Sequence, residues 1–444
     1  MINPSLSTTA YTGKNRTFGI PDLLAFVVGL LSANYINVVG NLYLSEIFLL
    51  VLLPYLLYSR RSLLRVGYTR LIILLGGAWL LNQIITDLYR GIPITDSIKG
   101  WALIAFLLSD FLALYLLVFP NTRRIALGVL GLVISLVPHI LLQPSSHILA
   151  DPWKFGVGES IALLTAIVGF YLYKDRPRQS AWLIVALILI SVFSFYVRSR
   201  ALGGFTLLTA FTVWFRFTYI GRSIASRINN FMVLMWSFIF SLGLSWGIIQ
   251  AYGYMASLGY LGDDAYYIYN LQSSGDFGIL LGGRREWLPA IHAILDSPFM
   301  GHGSYARNTE YGQYLYELTN MGYIVNNDQL DKYLAARNFI PTHSHLLQGW
   351  VWAGLAGGFF WLFILALTFH VLVGAYRYPN SFFMITMFLG FSSVWAVLFS
   401  PFTNTGRLHW AFVLVIFLYT LINSFGSVSV AGYNPISSNQ SPVS

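Results

Sequence analysis

Two imidazoles, His343 and His345, flank a serine where a long polar stretch gives way to an apolar run. An imidazole titrates near neutral pH, so in such a place it can take a proton from a hydroxyl group and pass it on. His-x-His also occurs in metal sites. Here no nearby carboxylate completes a ligand set at a familiar spacing, and the adjacent Asp263 and Asp264 read as solvated acids in a glycine-containing loop. Arginines are the second chemical group. Arg198 and Arg200 follow an apolar segment, and Arg284 and Arg285 open an amphipathic stretch within the polar region. A guanidinium grips phosphate oxygens in a two-pronged fork and keeps its charge, so arginines at a membrane edge suit a lipid-linked phosphate or pyrophosphate. The plainer readings are that Arg198 and Arg200 snorkel toward lipid head groups and that Arg284 and Arg285 form a solvated helix end. Basic side chains in a first helical turn oppose the helix dipole, which favours a role for at least one of the latter pair.

The elements that must position these groups are membrane elements. Of the 444 residues 56% are hydrophobic and only 10% charged, a balance that excludes an ordinary soluble domain. Apolar segments of spanning length recur at twelve places: 20–39, 42–58, 71–89, 101–119, 125–142, 157–173, 181–197, 202–220, 228–250, 346–375, 381–402 and 408–425. The expected fold is an all-α polytopic membrane protein of about 12 transmembrane helices. Residues 1–19 form an inner tail, 20–250 carry helices 1–9, 251–342 form one large outer loop, 343–426 carry helices 10–12, and 427–444 form a disordered tail rich in Ser, Asn and Pro. The first apolar run lacks a small-residue cleavage site and reads as a retained helix.

Orientation follows from Lys and Arg, which resist translocation. One set of connections holds fourteen, among them Arg60, Arg61, Arg65 and Arg70, and the opposite short connections hold six, so both termini face the cytoplasm. That asymmetry accounts for the net charge of +9 without nucleic acid. With no cysteine in the chain, the outer loop must be held by packing rather than by disulfides. Asp110, Glu159 and Arg216 fall inside apolar segments, so they should face the bundle interior or water.

The outer loop reads as at least three short helices. The first runs from Arg284 to Leu295, with Trp287, Leu288, Ile291, Ile294 and Leu295 on one stripe and Ser297-Pro298 at its end, which suits a helix lying on the membrane surface. The second covers about 306–320 and the third starts near Asn327. Gly301-His302-Gly303 is a tight turn of little specific meaning alone. If the next helix begins near Thr342, His343 and His345 diverge by about 200 degrees and only one imidazole faces the arginines.

Taken together, His343-Ser344, nine residues, then Gly354-Leu355-Ala356-Gly357 resembles the His-[Asn/Ser/Gln]-x9-Gly-x-x-Gly signature of bacterial O-antigen ligases, just before the helix that follows the large loop. Ser199-Arg200, Gly283-Arg284 with Trp287, and Pro298-Phe299-Met300-Gly301-His302-Gly303 are similar to further elements of that superfamily. Trp287 stands one residue early, so Arg284 and Arg285 compete for the family arginine. The resemblance covers the chain except its tails. It implies metal-independent, inverting transfer of a glycan, on the periplasmic face of the inner membrane, from undecaprenyl pyrophosphate to a sugar of lipid A-core or another glycan acceptor, without a cofactor. By the same resemblance His343 is the general base and Arg200 with Arg284 or Arg285 stabilises the departing pyrophosphate. Arg198 and His345 are supporting candidates. A polysaccharide polymerase or a protein O-oligosaccharyltransferase of the same superfamily is the nearest alternative. From another class, a lipid-linked glycan transporter would use Asp110, Glu159 and Arg216 as a polar path.

Overall fold

The computed structural model describes residues 18–136, 139–140, 146–173, 180–227, 250, 253–255, 257–260, 286–319 and 339–425. The first helix, α1 (Ile20–Leu30), leads into a two-stranded antiparallel hairpin, β1 (Tyr35–Asn37) and β2 (Asn41–Tyr43), with Tyr35 opposite Tyr43. Helices α2 (Leu44–Arg60), α3 (Gly67–Arg90), α4 (Ile94–Val118), α5 (Thr122–Ile134), α6 (Gly158–Tyr173), α7 (Ser180–Tyr196), α8 (Arg200–Phe217) and α9 (Tyr219–Arg227) follow. Two helices of the long polar segment, α10 (Trp287–Asp296) and α11 (Thr309–Thr319), precede α12 (His345–Arg377), α13 (Phe383–Phe399) and α14 (Gly406–Phe425).

Among the described residues six helices are long and apolar enough to cross a membrane: Leu44–Leu64, Gly67–Arg90, Ile94–Val118, Trp153–Leu172, His345–Arg377 and Gly406–Ser424. Three shorter apolar helices accompany them, Ile20–Leu30, Ala181–Tyr196 and Phe383–Phe399. This is a helical membrane protein. The first apolar segment departs from expectation: it stops being helix at Leu30, because Asn34, Asn37, Gly40 and Asn41 turn the chain and the β-branched Ile36, Val38 and Val39 suit an extended hairpin. The expected ninth span lies outside the described residues, save Gln250.

Side-chain contacts sort the helix ends into two sets. At one end Asp22 pairs with Arg124 (3.1 Å), Arg60 donates to the carbonyls of Leu116 (2.9 Å) and Phe119 (3.3 Å), and Arg216 donates to those of Tyr376 (2.6 Å) and Arg377 (3.3 Å). Arginines here satisfy the last carbonyls of α4 and α12, which have no partner within their own helices, and complement the negative helix ends. At the other end the buried side chains of Arg407 and Glu46 pair at 2.6 Å, and Arg407 also donates to Asn41 O (2.7 Å), tying α14 to α2 and the hairpin. Among the described residues Arg60, Arg124 and Arg216 thus gather at one end, and the segment 297–304 and the start of α12 lie at the other.

Because the chain has no cysteine, single cysteines can report on these ends without a background. A cysteine at the exposed position Glu310 should react with an impermeant thiol reagent in right-side-out vesicles, and one at the exposed Ser62 only after permeabilisation. The reverse pattern would invert the assignment of ends.

Candidate functional site

The chain enters α12 through an extended segment. Ile340 N–H donates to Ala306 O (2.9 Å), and Arg307 and Phe339 pair in an antiparallel bridge. Helix α12 begins at His345, not at Thr342, because Ser344 is its N-cap and accepts from Leu347 N–H at 3.1 Å. The Ser344 hydroxyl also donates to Val397 O (2.8 Å). His343 therefore stands just outside the helix, half-buried, beside a doubly bonded cap. The chain changes from extended to helical between the two histidines, so His343 lies before the first helical turn rather than in it.

His345 is a core residue. Its Nδ1–H donates to Ser400 O and its Nε2 accepts from the Trp410 indole N–H (2.9 Å), an assignment of the neutral tautomer that both partners require. Trp361, Phe402 and Trp410 surround the ring with centroids 4.7 to 5.5 Å away. Both ring nitrogens are committed, so His345 cannot ligate a metal without breaking two buried bonds, and as a supporting residue it anchors rather than reacts. Gln348, one turn on, closes the anchor: its side chain accepts from Phe402 N–H (2.7 Å) and donates to Phe402 O (2.9 Å). The first turn of α12 is held by the chain leaving α13.

Nine residues into this 33-residue helix the α geometry fails, with Ala353 at φ −123°, ψ 22° and Gly354 at φ 54°, ψ −145°. A side chain at Gly354 would occupy sparsely allowed backbone space and would also collide with the carbonyl of Phe299. The loop segment 297–304 fills the break. His302 N–H donates to Val351 O (2.7 Å), Gly303 N–H to Trp352 O (3.0 Å) and Leu355 N–H to Phe299 O (3.3 Å). The last two turns of α3 complete the seam: Asn82 donates to Ala353 O (2.6 Å), Thr86 to Met300 O (2.6 Å), and Arg90 to Ser297 Oγ (2.8 Å) and Gly301 O (3.1 Å). The buried carboxylate of Asp87 takes Ser304 N–H (2.6 Å), Ser304 O–H (2.7 Å) and Gln83 Nε2 (3.0 Å). Gly301-His302-Gly303 is thus a docking element and more than a tight turn. His302 donates from Nε2 to Ala293 O (2.7 Å), and burial holds its imidazole below the ordinary value, against the opposing effect of that carbonyl. Sequence reasoning missed the α3 residues, although Asn82, Gln83, Thr86, Asp87 and Arg90 repeat at helical spacing and form a polar face on an otherwise apolar helix.

The outer end of α13 joins the other candidates to this seam. Trp287, at the start of α10, stacks on Phe399 (5.2 Å, 12°). Phe399 meets Trp395 (4.7 Å), and Trp395 meets Phe205 (5.9 Å), five residues after Arg200. The starts of α8, α10 and α12 therefore abut the last turns of one helix. Arg284 and Arg285 lie outside the described residues, as do Asp263 and Asp264 and the expected third loop helix. In α10 the small residues Ala290 and Ala293 are buried, and the predicted stripe faces outward at Ile291 and Leu295, 41% and 70% exposed.

Arg200 is half-buried at the first position of α8. Arg198 is exposed and takes a left-handed backbone, φ 62°. It occupies the glycine position of a helix-ending motif in which Ser199 N–H donates to Ser194 O (2.7 Å) and Arg198 N–H to Phe195 O (3.1 Å). A residue with a Cβ costs about 1 kcal/mol there. Among the described non-glycine residues only Tyr305 shares a positive φ. The intramembrane charges do not form one path. Arg216 caps α12, Asp110 is fully buried in α4, and Glu159 stands 4.0 Å from His409 at the opposite end from Arg216.

In comparisons with known proteins, the chain matches no family model, no curated protein and no solved structure.

Two stability outcomes follow from the seam and the anchor. Gly354→Ala should lower stability by more than about 2 kcal/mol through strain and displaced docking, whereas Gly204→Ala, with open space around its Cβ, should be neutral or stabilise by up to about 1 kcal/mol. His345→Ala should cost about 3 kcal/mol or more, since it orphans the Trp410 N–H and Ser400 O and leaves a cavity. Thermal melts of the detergent-purified protein measure each, and a Gly354→Ala melt equal to that of Gly204→Ala would remove the docking from the account.

Proposed function

We propose that this chain is a lipid-linked glycan transferase of the O-antigen ligase type, with about twelve transmembrane helices and its site on the periplasmic face of the bacterial inner membrane. The observation that carries the reading is the seam itself. The glycine that ends the His343-Ser344-x9 spacing, Gly354, is docked by Phe299 to Gly303 of the Pro-x-x-Gly-x-Gly element, so two sequence elements that resemble one family meet in space.

In the reaction His343 takes the proton from an acceptor sugar hydroxyl as its oxygen attacks the anomeric carbon of the donor glycan. The bond from that carbon to the undecaprenyl-pyrophosphate oxygen breaks with inversion, and its electron pair leaves on the pyrophosphate. Arg200, with Arg284 or Arg285, stabilises that developing charge, and Arg198 supports it, a role worth several kcal/mol where water is excluded. A sugar hydroxyl is too weakly acidic to ionise alone at neutral pH, which is why a base beside the acceptor is required. No metal ion or cofactor takes part.

A polymerase or a protein O-oligosaccharyltransferase would run the same chemistry on another acceptor. A transporter gains some support from the broken helix α12, since unwound helices coordinate substrates in such proteins. Against it, the carbonyls of Val351, Trp352 and Ala353 at the break accept from His302 N–H, Gly303 N–H and the Asn82 side chain, so these three are already engaged within the protein.

With a lipid-linked glycan and an acceptor in a reconstituted assay, His343→Ala should lose at least about a hundredfold in rate without a change in melting temperature, and excess EDTA should leave the wild type active. Loss with EDTA and recovery with a divalent cation would replace the base by a metal site. Arg200→Lys should rescue Arg200→Ala poorly, because a point charge lacks the bidentate fork. Arg198→Gly should melt at or above the wild-type temperature yet transfer more slowly. Unchanged transfer would reduce Arg198 to a helix end.

A further inference from the structure

Tyr305 follows the Gly301–Ser304 clamp with φ 51°, a conformation that a bulky side chain adopts only under constraint. The constraint is visible on both sides: Ser304 is bound twice by Asp87, and Ala306 accepts from Ile340 N–H. The strained backbone places the phenol ring 4.7 Å from Trp352 and 6.4 Å from Phe339. Burial raises the Tyr305 pKa, against the pull of Arg407 and with the push of Asp96, so the group stays a neutral hydrogen-bond donor at neutral pH.

Beside it the Phe339 ring is 45% exposed, and the Arg307 guanidinium lies over it at 5.1 Å while donating to Asp96 at 3.1 Å. Lys99 approaches the other oxygen of Asp96 at 4.0 Å. Arg307 and Lys99 remain 51% and 40% exposed, so both can turn to a ligand. The patch combines a part-exposed aromatic ring, a neutral phenol and two cations held in place by the buried Asp96 carboxylate. A pyranose lays its C–H face on the exposed part of such a ring, while the surplus positive charge selects an oxyanion. The chain continues from Phe339 to His343 four residues later.

We propose that Tyr305, Phe339, Arg307, Asp96 and Lys99 form a subsite for a sugar bearing a phosphate or carboxylate group, which under the transferase reading is the acceptor sugar. Phe339 lies four residues before His343 on the segment that leads into α12, so an acceptor held there is near the proposed base in sequence.

Saturation-transfer NMR on the full chain in nanodiscs tests the subsite without catalysis. The probes are glucose 6-phosphate, glucuronic acid, glucose and inorganic phosphate. The two anionic sugars should bind at least about tenfold more tightly than glucose or phosphate alone, and Arg307→Gln and Phe339→Leu should each weaken them by a similar factor. Arg307 is exposed, so its variant should fold even if the Phe339 variant does not. Equal binding of glucose and glucose 6-phosphate, wild-type affinity in Arg307→Gln, or no binding of any probe overturns the proposal. Preference for the phosphate or the carboxylate sugar identifies the oxyanion. In the transfer assay the acceptor KM of Arg307→Gln should rise more than its kcat falls. A wild type that transfers nothing sinks the transferase reading, and the NMR result still decides the subsite.

Discussion

The structure depends on one constraint: a helix broken inside an apolar bundle must find hydrogen-bond partners for its freed backbone groups, since neither lipid nor packed side chains supply any. Helix α12 breaks at Ala353–Gly354, and the partners come from two places far apart in sequence, the loop segment 297–304 and the polar face of α3. The docking of segment 297–304 and of the last turns of α3 satisfies that break. Asn82 and Thr86 serve carbonyls on both sides of the seam, and Asp87, with three donors, clamps the segment where it leaves.

The break also divides α12 into two parts with different duties. Residues 355–377, about 34 Å of helix at 1.5 Å per residue, are enough to cross the hydrocarbon core by themselves. The turns before the break form a platform above it, pinned by Ser344, His345 and Gln348 to the chain that leaves α13. A side chain at His343 is thereby presented from rigid elements on both sides, the arrangement that accurate proton transfer needs. The aromatic series Trp287, Phe399, Trp395 and Phe205 brings the starts of α10 and α8 against the same platform.

Backbone strain marks the same end of the molecule. Arg198 and Tyr305 both adopt a conformation that glycine would take more easily, one at the end of α7 and one beside the seam. Each keeps a large side chain at a position where backbone stability alone would favour glycine.

Much of this was legible in the sequence. Apolar length and the sparse charges determined the membrane class, because crossing a hydrocarbon core is a local requirement that each segment meets alone. The helix after residue 342 and the place of Gly354 and Gly357 within it could be read the same way. The equivalence of His343 and His345 could not be resolved locally. Their neighbours in sequence are alike, and only Ser400 and Trp410, more than fifty residues away, make one of them a buried anchor. The tight turn at Gly301-His302-Gly303 had no evident partner, because its partner is a break in another helix, and the hairpin at residues 35–43 was hidden by an apolar count that ignores backbone preference. Local requirements such as hydrophobic length write themselves into contiguous residues. The partner of a freed carbonyl, or of an imidazole nitrogen, is chosen only when distant segments pack, so tertiary structure alone decided it.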